Sequence, residues 1–153
     1  MTSVKQTDSL SHDLEVLLRY AGANKAVLTP KRQSVPVKLI RDIMKSFKVQ
    51  EPHDDVIGGK VHKKREEREY PRFYFLDLLA AGAEFLSISR GGRFRKGPYW
   101  KVFFETSEED RAYLLLHVFR CDFDFESWFM GRGGGFGARL RDKIHHPPWV
   151  SLN

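Results

Sequence analysis

The sequence has little cysteine: Cys121 is the only one in 153 residues. One thiol cannot form an intrachain disulfide or build a Cys-rich zinc site, and this fits a protein of a reducing compartment. The adjacent histidines His145 and His146 have no spaced histidine or cysteine partner to complete a zinc set. The sequence therefore predicts no metal site of this kind.

Long apolar runs are also missing. No run reaches the roughly 18 residues that a membrane span needs, and the N-terminus, MTSVKQTDSLSHD, lacks the apolar core of a signal peptide. We therefore expect no membrane partner, and a location in the cytoplasm, or in a nucleoid or nucleus.

The composition is ordinary for a folded protein, apart from a basic surplus. Hydrophobic residues make up 41% and charged residues 30% of the chain, which argues against disorder throughout. Lys plus Arg number 26 against 20 Asp plus Glu, a net charge of +6. A pI near 9.5 favours polyanionic partners. The length suffices for one buried core or for two small helical units that share one, and we favour two units.

A buried helix is predicted from Pro71 to Ala81. Proline suits a first helical turn, and Gly82 can end the helix in the left-handed conformation. The helix carries only Arg72 and Asp77 as ionised side chains, and a helix that is apolar nearly all round is normally buried. Such a helix cannot read base edges, so contacts with nucleic acid would come from a neighbouring element.

A short basic hairpin is predicted directly after this helix, and we call it the wing. Residues 85–89 have strand character, and Gly91 and Gly92 can supply the positive φ angles of a tight turn before Phe94 returns. No acidic residue lies between positions 90 and 101. The cations of this stretch are Arg90, Arg93, Arg95, Lys96 and Lys101. A helix followed by a basic hairpin is the order of a winged-helix unit.

The N-terminal part, residues 8–50, is predicted to form a first unit of this kind. A helix capped by Ser9 or Ser11 precedes a short extended segment at 26–29, and a second helix spans 36–47. The cations on its outer face and in the preceding turn are Lys38, Arg41, Lys45, Lys31 and Arg32. They form either a second basic surface or simply the solvated side of an amphipathic helix.

The remaining segments complete an α+β, helix-rich architecture of two winged-helix-like units. Residues 51–69 are predicted as a charged linker and 70–121 as the second unit, with 107–121 helical and 99–104 either helix or strand. Residues 122–153 are an aromatic and Gly-rich extension, which we expect to pack on the body.

The order of segments resembles the tandem winged-helix domains associated with bacterial helicases and with uncharacterised plasmid-borne reading frames. The matching parts are the turn at 28–31 followed by the helix that Pro36 begins, the stretch LLAAGAEFL, the wing GGRFRKGPYW and the helix that begins near Ser107. Together they cover roughly residues 10 to 120. The resemblance implies an accessory module that docks on nucleic acid or protein. The ATP-binding pattern G-x-x-x-x-G-K-[ST] is missing, so the motor activity of a helicase is not implied.

We therefore expect a non-catalytic module without a cofactor that contacts the phosphates of DNA or RNA through the wing cations, with Tyr99 or Trp100 stacking on an unpaired base. The wing arginines could instead pair with the acidic segment 105–126 of the same chain. One alternative function is a protein-interaction module or homo-oligomer that uses the C-terminal third and the exposed side of helix 107–121. The other is a metal-dependent nuclease, because carboxylates alternate at Asp122, Asp124 and Glu126.

Overall fold

The computed structural model describes residues 4–23, 26–31 and 34–121. These residues form an α+β structure that is about half helical and contains two small antiparallel hairpins, as the predicted fold class requires at this level. The elements in chain order are α1 (Val4–Gly22), α2 (Val37–Met44), β1 (Asp54–Ile57), β2 (Lys60–Lys63), α3 (Pro71–Gly82), β3 (Leu86–Ile88), β4 (Phe94–Lys96), α4 (Trp100–Glu105) and α5 (Glu108–Cys121). Both Arg32 and the predicted extension 122–153 lie outside the described residues.

The first helix is longer than predicted. It begins at Val4, so Ser9 and Ser11 lie inside α1, where both are buried, and do not cap it. Residues 4–8 contain neither proline nor glycine, so nothing in the sequence stops the helix from extending toward the N-terminus. The predicted stripe of Leu14, Leu17 and Leu18 is fully buried, which confirms the inner face.

The third helix is buried, as its composition predicts. Pro71 is its first residue, and every side chain from Leu76 to Ala81 is buried. Its end differs from the prediction, because the left-handed residue is Glu84 (φ 56°) and not Gly82. The amide of Phe85 donates to the carbonyl of Ala80, and the amide of Glu84 donates to that of Ala81. This pair of bonds is the Schellman motif, and its geometry sets which residue turns left-handed.

Both predicted units contribute to one hydrophobic core. Leu17 and Ile40 from the first belong to the same buried cluster as Phe73, Phe85 and Phe103 from the second. α1 packs against α2, α3, α5 and both strands of the second hairpin. The boundaries at 8–50 and 70–121 therefore do not separate two cores, and the division into two units stays a prediction.

The segment predicted as a linker contains a hairpin. Strands β1 and β2 pair antiparallel, and Gly58 (φ 59°) and Gly59 (φ 76°) form the two-residue turn between them. A 3-10 turn at Glu67–Glu69 follows, and the buried carboxylate of Glu67 accepts a hydrogen bond of 2.7 Å from the amide of Val35. This segment is thus attached to the body beside α2.

The structure shows two helices after the wing, one of which the sequence left undecided between helix and strand. Residues 99–104, predicted as either helix or strand, form helix α4 from Trp100. The predicted start of α5 is confirmed, because the Ser107 hydroxyl oxygen accepts a hydrogen bond of 3.2 Å from the amide of Asp110. Among the described helices, none is long and apolar enough to cross a membrane.

Candidate nucleic-acid interface

The wing consists of β3, β4 and the turn that joins them. Ile88 pairs with Phe94, and the amide of Ser89 donates to the carbonyl of Arg93 across the turn (2.9 Å). The amide of Gly92 donates back to the carbonyl of Ser89 at 3.0 Å, and Gly92 has a φ of 71°. Gly91 does not share this positive φ, so the predicted two-glycine turn is wrong. The structure has a three-residue turn that ends in one left-handed glycine.

Alternation along β4 separates the wing cations from the core. Phe94 is 1% exposed and packs in the core, whereas its neighbours Arg93 and Arg95 are exposed. Successive side chains of a strand point to opposite faces, so the two arginines share the outward face. Arg90, at the tip, is exposed as well. The structure thus presents three guanidinium groups on one small hairpin.

A third chain segment lies along the wing and was not predicted to do so. Val27 pairs with Arg93, and two hydrogen bonds flank the pair: the amide of Leu28 donates to Gly92 (2.8 Å) and the amide of Phe94 donates to Ala26 (3.2 Å). Lys31 lies in the turn that follows this segment and is exposed. The segment is too short to show the alternation that identifies a strand.

The wing arginines do not pair with the acidic segment of their own chain as far as the structure describes it. Residues 105–121 contribute four acids, Glu105, Glu108, Glu109 and Asp110. None of them forms an ion pair with Arg90, Arg93 or Arg95. Residues 122–126 of the acidic segment lie outside the described residues, so pairing of the wing arginines with that part stays a prediction.

Lys96 is the last residue of β4, at the end of the wing away from its turn, and Lys101 lies on α4, which follows the wing. The Lys96 ammonium lies 5.3 Å from the centre of the Trp100 ring, a cation–π distance, and remains exposed. Lys101 is exposed on α4. Both charges can therefore add to the potential of the arginine face without a carboxylate beside them in the described chain.

The two aromatic residues predicted to stack on a base are partly used by the fold. Trp100 is half-buried and packs against Phe104 with tilted rings, 4.8 Å between ring centres. It also touches Gly22 so closely that a Cβ there would overlap its indole. Tyr99 is half-buried and donates its amide to the carbonyl of Glu84 at 3.2 Å. Trp100 therefore has a structural role at the end of α1.

The second predicted basic surface, on α2, has fewer unpaired cations to offer a phosphate than the wing has. Arg41 donates to the Tyr70 hydroxyl at 3.1 Å, a bond that raises the pKa of Arg41. Lys45 donates to the Asp42 carboxylate at 2.9 Å, which lowers the pKa of Asp42. Lys38 is exposed. Of the three cations on α2 and its end, two already have partners and one carboxylate lies among them.

The described residues offer no metal site. They contain no group of three or more histidine, cysteine, aspartate or glutamate residues that could hold a metal ion. The carboxylates predicted for a nuclease, Asp122, Asp124 and Glu126, lie outside the described residues, as do His145 and His146.

Comparison with known proteins does not extend these observations. The chain matches no family model, and neither a curated protein nor a solved structure matches it. The resemblance to tandem winged-helix domains therefore stays a prediction.

Proposed function

We propose that the chain is a non-catalytic nucleic-acid-binding module of winged-helix-like architecture that contacts phosphates through its wing. The observation that carries the proposal is the outward arginine face. Arg93, directly before β4, and Arg95, within it, are both exposed, and Arg90 extends the face to the tip. Within the described chain no carboxylate pairs with these arginines. Guanidinium groups bind phosphate oxygens in a two-pronged geometry that suits this role.

The winged-helix assignment rests on the order and pairing of elements. A helix (α1), a short extended segment (26–28), two further helices (α2 and α3) and the wing occur in this order, with the β1–β2 hairpin inserted between α2 and α3. The extended segment pairs with the wing. The helix before the hairpin, α3, has its only cation, Arg72, bound to Asp13. The wing is therefore the contact element that this arrangement favours, and readout of base edges by α3 is not part of the proposal.

Binding through phosphates has a quantitative signature in its salt dependence. Five phosphate contacts would give a logarithmic slope of about −4.5, which is a loss of roughly 500-fold in affinity between 50 and 200 mM salt. Fluorescence anisotropy with labelled random duplex and single-stranded DNA measures this slope directly. A slope near zero would remove the proposal.

A charge-reversal pair locates the contact. We expect Arg93→Glu combined with Arg95→Glu to abolish binding at 150 mM salt. The matched control is Lys60→Glu combined with Arg65→Glu, which changes the net charge by the same amount at two exposed positions outside the wing. If both double variants weaken binding equally, net charge alone drives association and the wing has no special role.

A second candidate function, a protein-interaction module, has one observation in its favour. Tyr113 and Leu116 are 75% and 55% exposed on α5, the helix whose outer side was predicted as a docking face. Large apolar side chains that are exposed side by side are typical of interaction sites.

A further inference from the structure

The outer side of α5 carries a single stripe of four exposed side chains. Glu109, Tyr113, Leu116 and Arg120 follow one another at spacings of four, three and four, which places them on one helical face. The opposite side of the helix holds Leu115 and Val118 in the core. The stripe is thus the side of α5 that the described body leaves uncovered.

The order of residues along the stripe is self-complementary. An acid stands in the first turn, two apolar side chains occupy the middle and a base stands in the last turn. In an antiparallel pair of identical helices centred between positions 114 and 115, Glu109 lies opposite Arg120 of the partner subunit. Tyr113 then lies opposite Leu116 of the partner subunit. A parallel pair would place like charges side by side, so the charges favour the antiparallel arrangement alone.

The two charged side chains of the stripe have no ion-pair partner in the described chain, whereas Arg111 on the same helix has one. Asp110 is hydrogen-bonded to Ser107, and Arg111 is bound to Glu15 at 2.9 Å. Neither Glu109 nor Arg120 forms an ion pair with a described residue. Both charges are therefore available to a partner at opposite ends of the same stripe.

We propose that α5 pairs antiparallel with α5 of a second copy of this chain, with Tyr113 and Leu116 at the centre and a Glu109–Arg120 ion pair at each end. The stripe is about 16 Å long at 1.5 Å per residue, so the contact is smaller than the roughly 1,200 Å² of a stable interface. The dimer is therefore weak and depends on protein concentration. This inference does not rest on nucleic-acid binding.

The first test is the solution mass of the full chain, measured by sedimentation velocity over a concentration series without nucleic acid. The mass should rise from 17.8 kDa toward twice that value, and Leu116→Asp should weaken association at least tenfold. A mass that stays that of one chain up to about 1 mM overturns the proposal. So does coverage of the stripe by residues 122–153, which would keep the chain monomeric and make Leu116→Asp lower its melting temperature.

A charge swap tests the antiparallel register. Glu109→Arg alone and Arg120→Glu alone each place like charges at both ends of the pair, so each should weaken self-association about tenfold. An equimolar mixture of the two variants should restore the dimer, because each end then joins opposite charges again. Circular dichroism controls for loss of helix. Single variants that dimerise like the wild type, or a mixture that stays as weak as its components, overturn the register.

Discussion

The carboxylate of Asp13 on α1 binds the guanidinium of Arg72 on α3, which lies 59 positions later in the chain; the Arg72 Nε donates at 2.9 Å. Asp13 is fully buried and also accepts a hydrogen bond of 2.6 Å from the amide of Lys48, just beyond α2. One side chain thus fixes three helices relative to one another. Asp13 also forms an ion pair with Arg72, the only cation of α3.

Removing this carboxylate should destabilise the fold. We expect Asp13→Ala to lower the free energy of unfolding by about 3–5 kcal/mol, because Arg72 and the amide of Lys48 are left without their acceptor. Urea denaturation measures the change. The control is Asp42→Ala, which removes an exposed carboxylate from an i, i+3 pair with Lys45 and should hardly move the midpoint. Equal effects of the two variants would show that Asp13 does not have this role.

The pH dependence of stability should report on Glu15. Partial burial raises the pKa of Glu15, but hydrogen bonds and charges from Arg19 and Arg111 outweigh it, so this pKa lies below its ordinary value. A carboxyl group with a lowered folded-state pKa stabilises the protein above the unfolded pKa of about 4.3, and this contribution is lost as the pH falls through the folded value.

The matching experiment compares Glu15→Gln with the wild type by thermal melts from pH 7 to pH 3. At pH 7 the variant should be about 2 kcal/mol less stable, because the partly buried guanidinium of Arg111 loses its charged acceptor. The difference should shrink below about pH 4.3. Glu105→Gln, at an exposed position, serves as the control. A stability difference between Glu15→Gln and the wild type that stays constant down to pH 3 would show that ionised Glu15 does not provide this stabilisation.

Much of the fold was predictable from local patterns, and the exceptions have a physical cause. The helical stripe of α1, the apolar α3 and the basic wing all leave a signal in consecutive residues. The β1–β2 hairpin leaves none, since Val56, Ile57 and Val61 are all exposed and the strands have no buried face. Its Gly58–Gly59 pair suits a two-residue hairpin turn, but without alternating strands on either side the segment was predicted as a linker.

The sequence allowed us to predict which charged residues the wing exposes, but not which distant parts of the chain pack against the wing and α4. The exposure of Arg93 and Arg95 follows from the alternation around Phe94, which the sequence shows. The pairing of Val27 with Arg93 and the contact of Trp100 with Gly22 join residues that are far apart in the chain. Such contacts depend on how the helices pack, and no pattern within one segment encodes them.

The packing of Trp100 leads to a prediction about its role. Trp100→Ala should lower the free energy of unfolding by about 3 kcal/mol, because the indole fills the space between Gly22 and Phe104. The salt dependence of nucleic-acid binding should stay unchanged under conditions where the variant is folded. Thermal melts and anisotropy titrations test the two statements. A selective loss of single-stranded DNA binding at unchanged stability would assign the ring to base stacking instead.

The two basic surfaces can be ranked by variants that remove equal charge. Arg93→Gln with Arg95→Gln should reduce the magnitude of the logarithmic salt slope by about 1.8, since two phosphate contacts are lost. Lys38→Gln with Lys45→Gln also removes two charges, but the expected change is smaller because Asp42 already binds Lys45 and lowers the local positive potential. Anisotropy titrations of both variants from 50 to 200 mM salt measure the difference. A larger change for the lysine pair would move the nucleic-acid contact from the wing to α2.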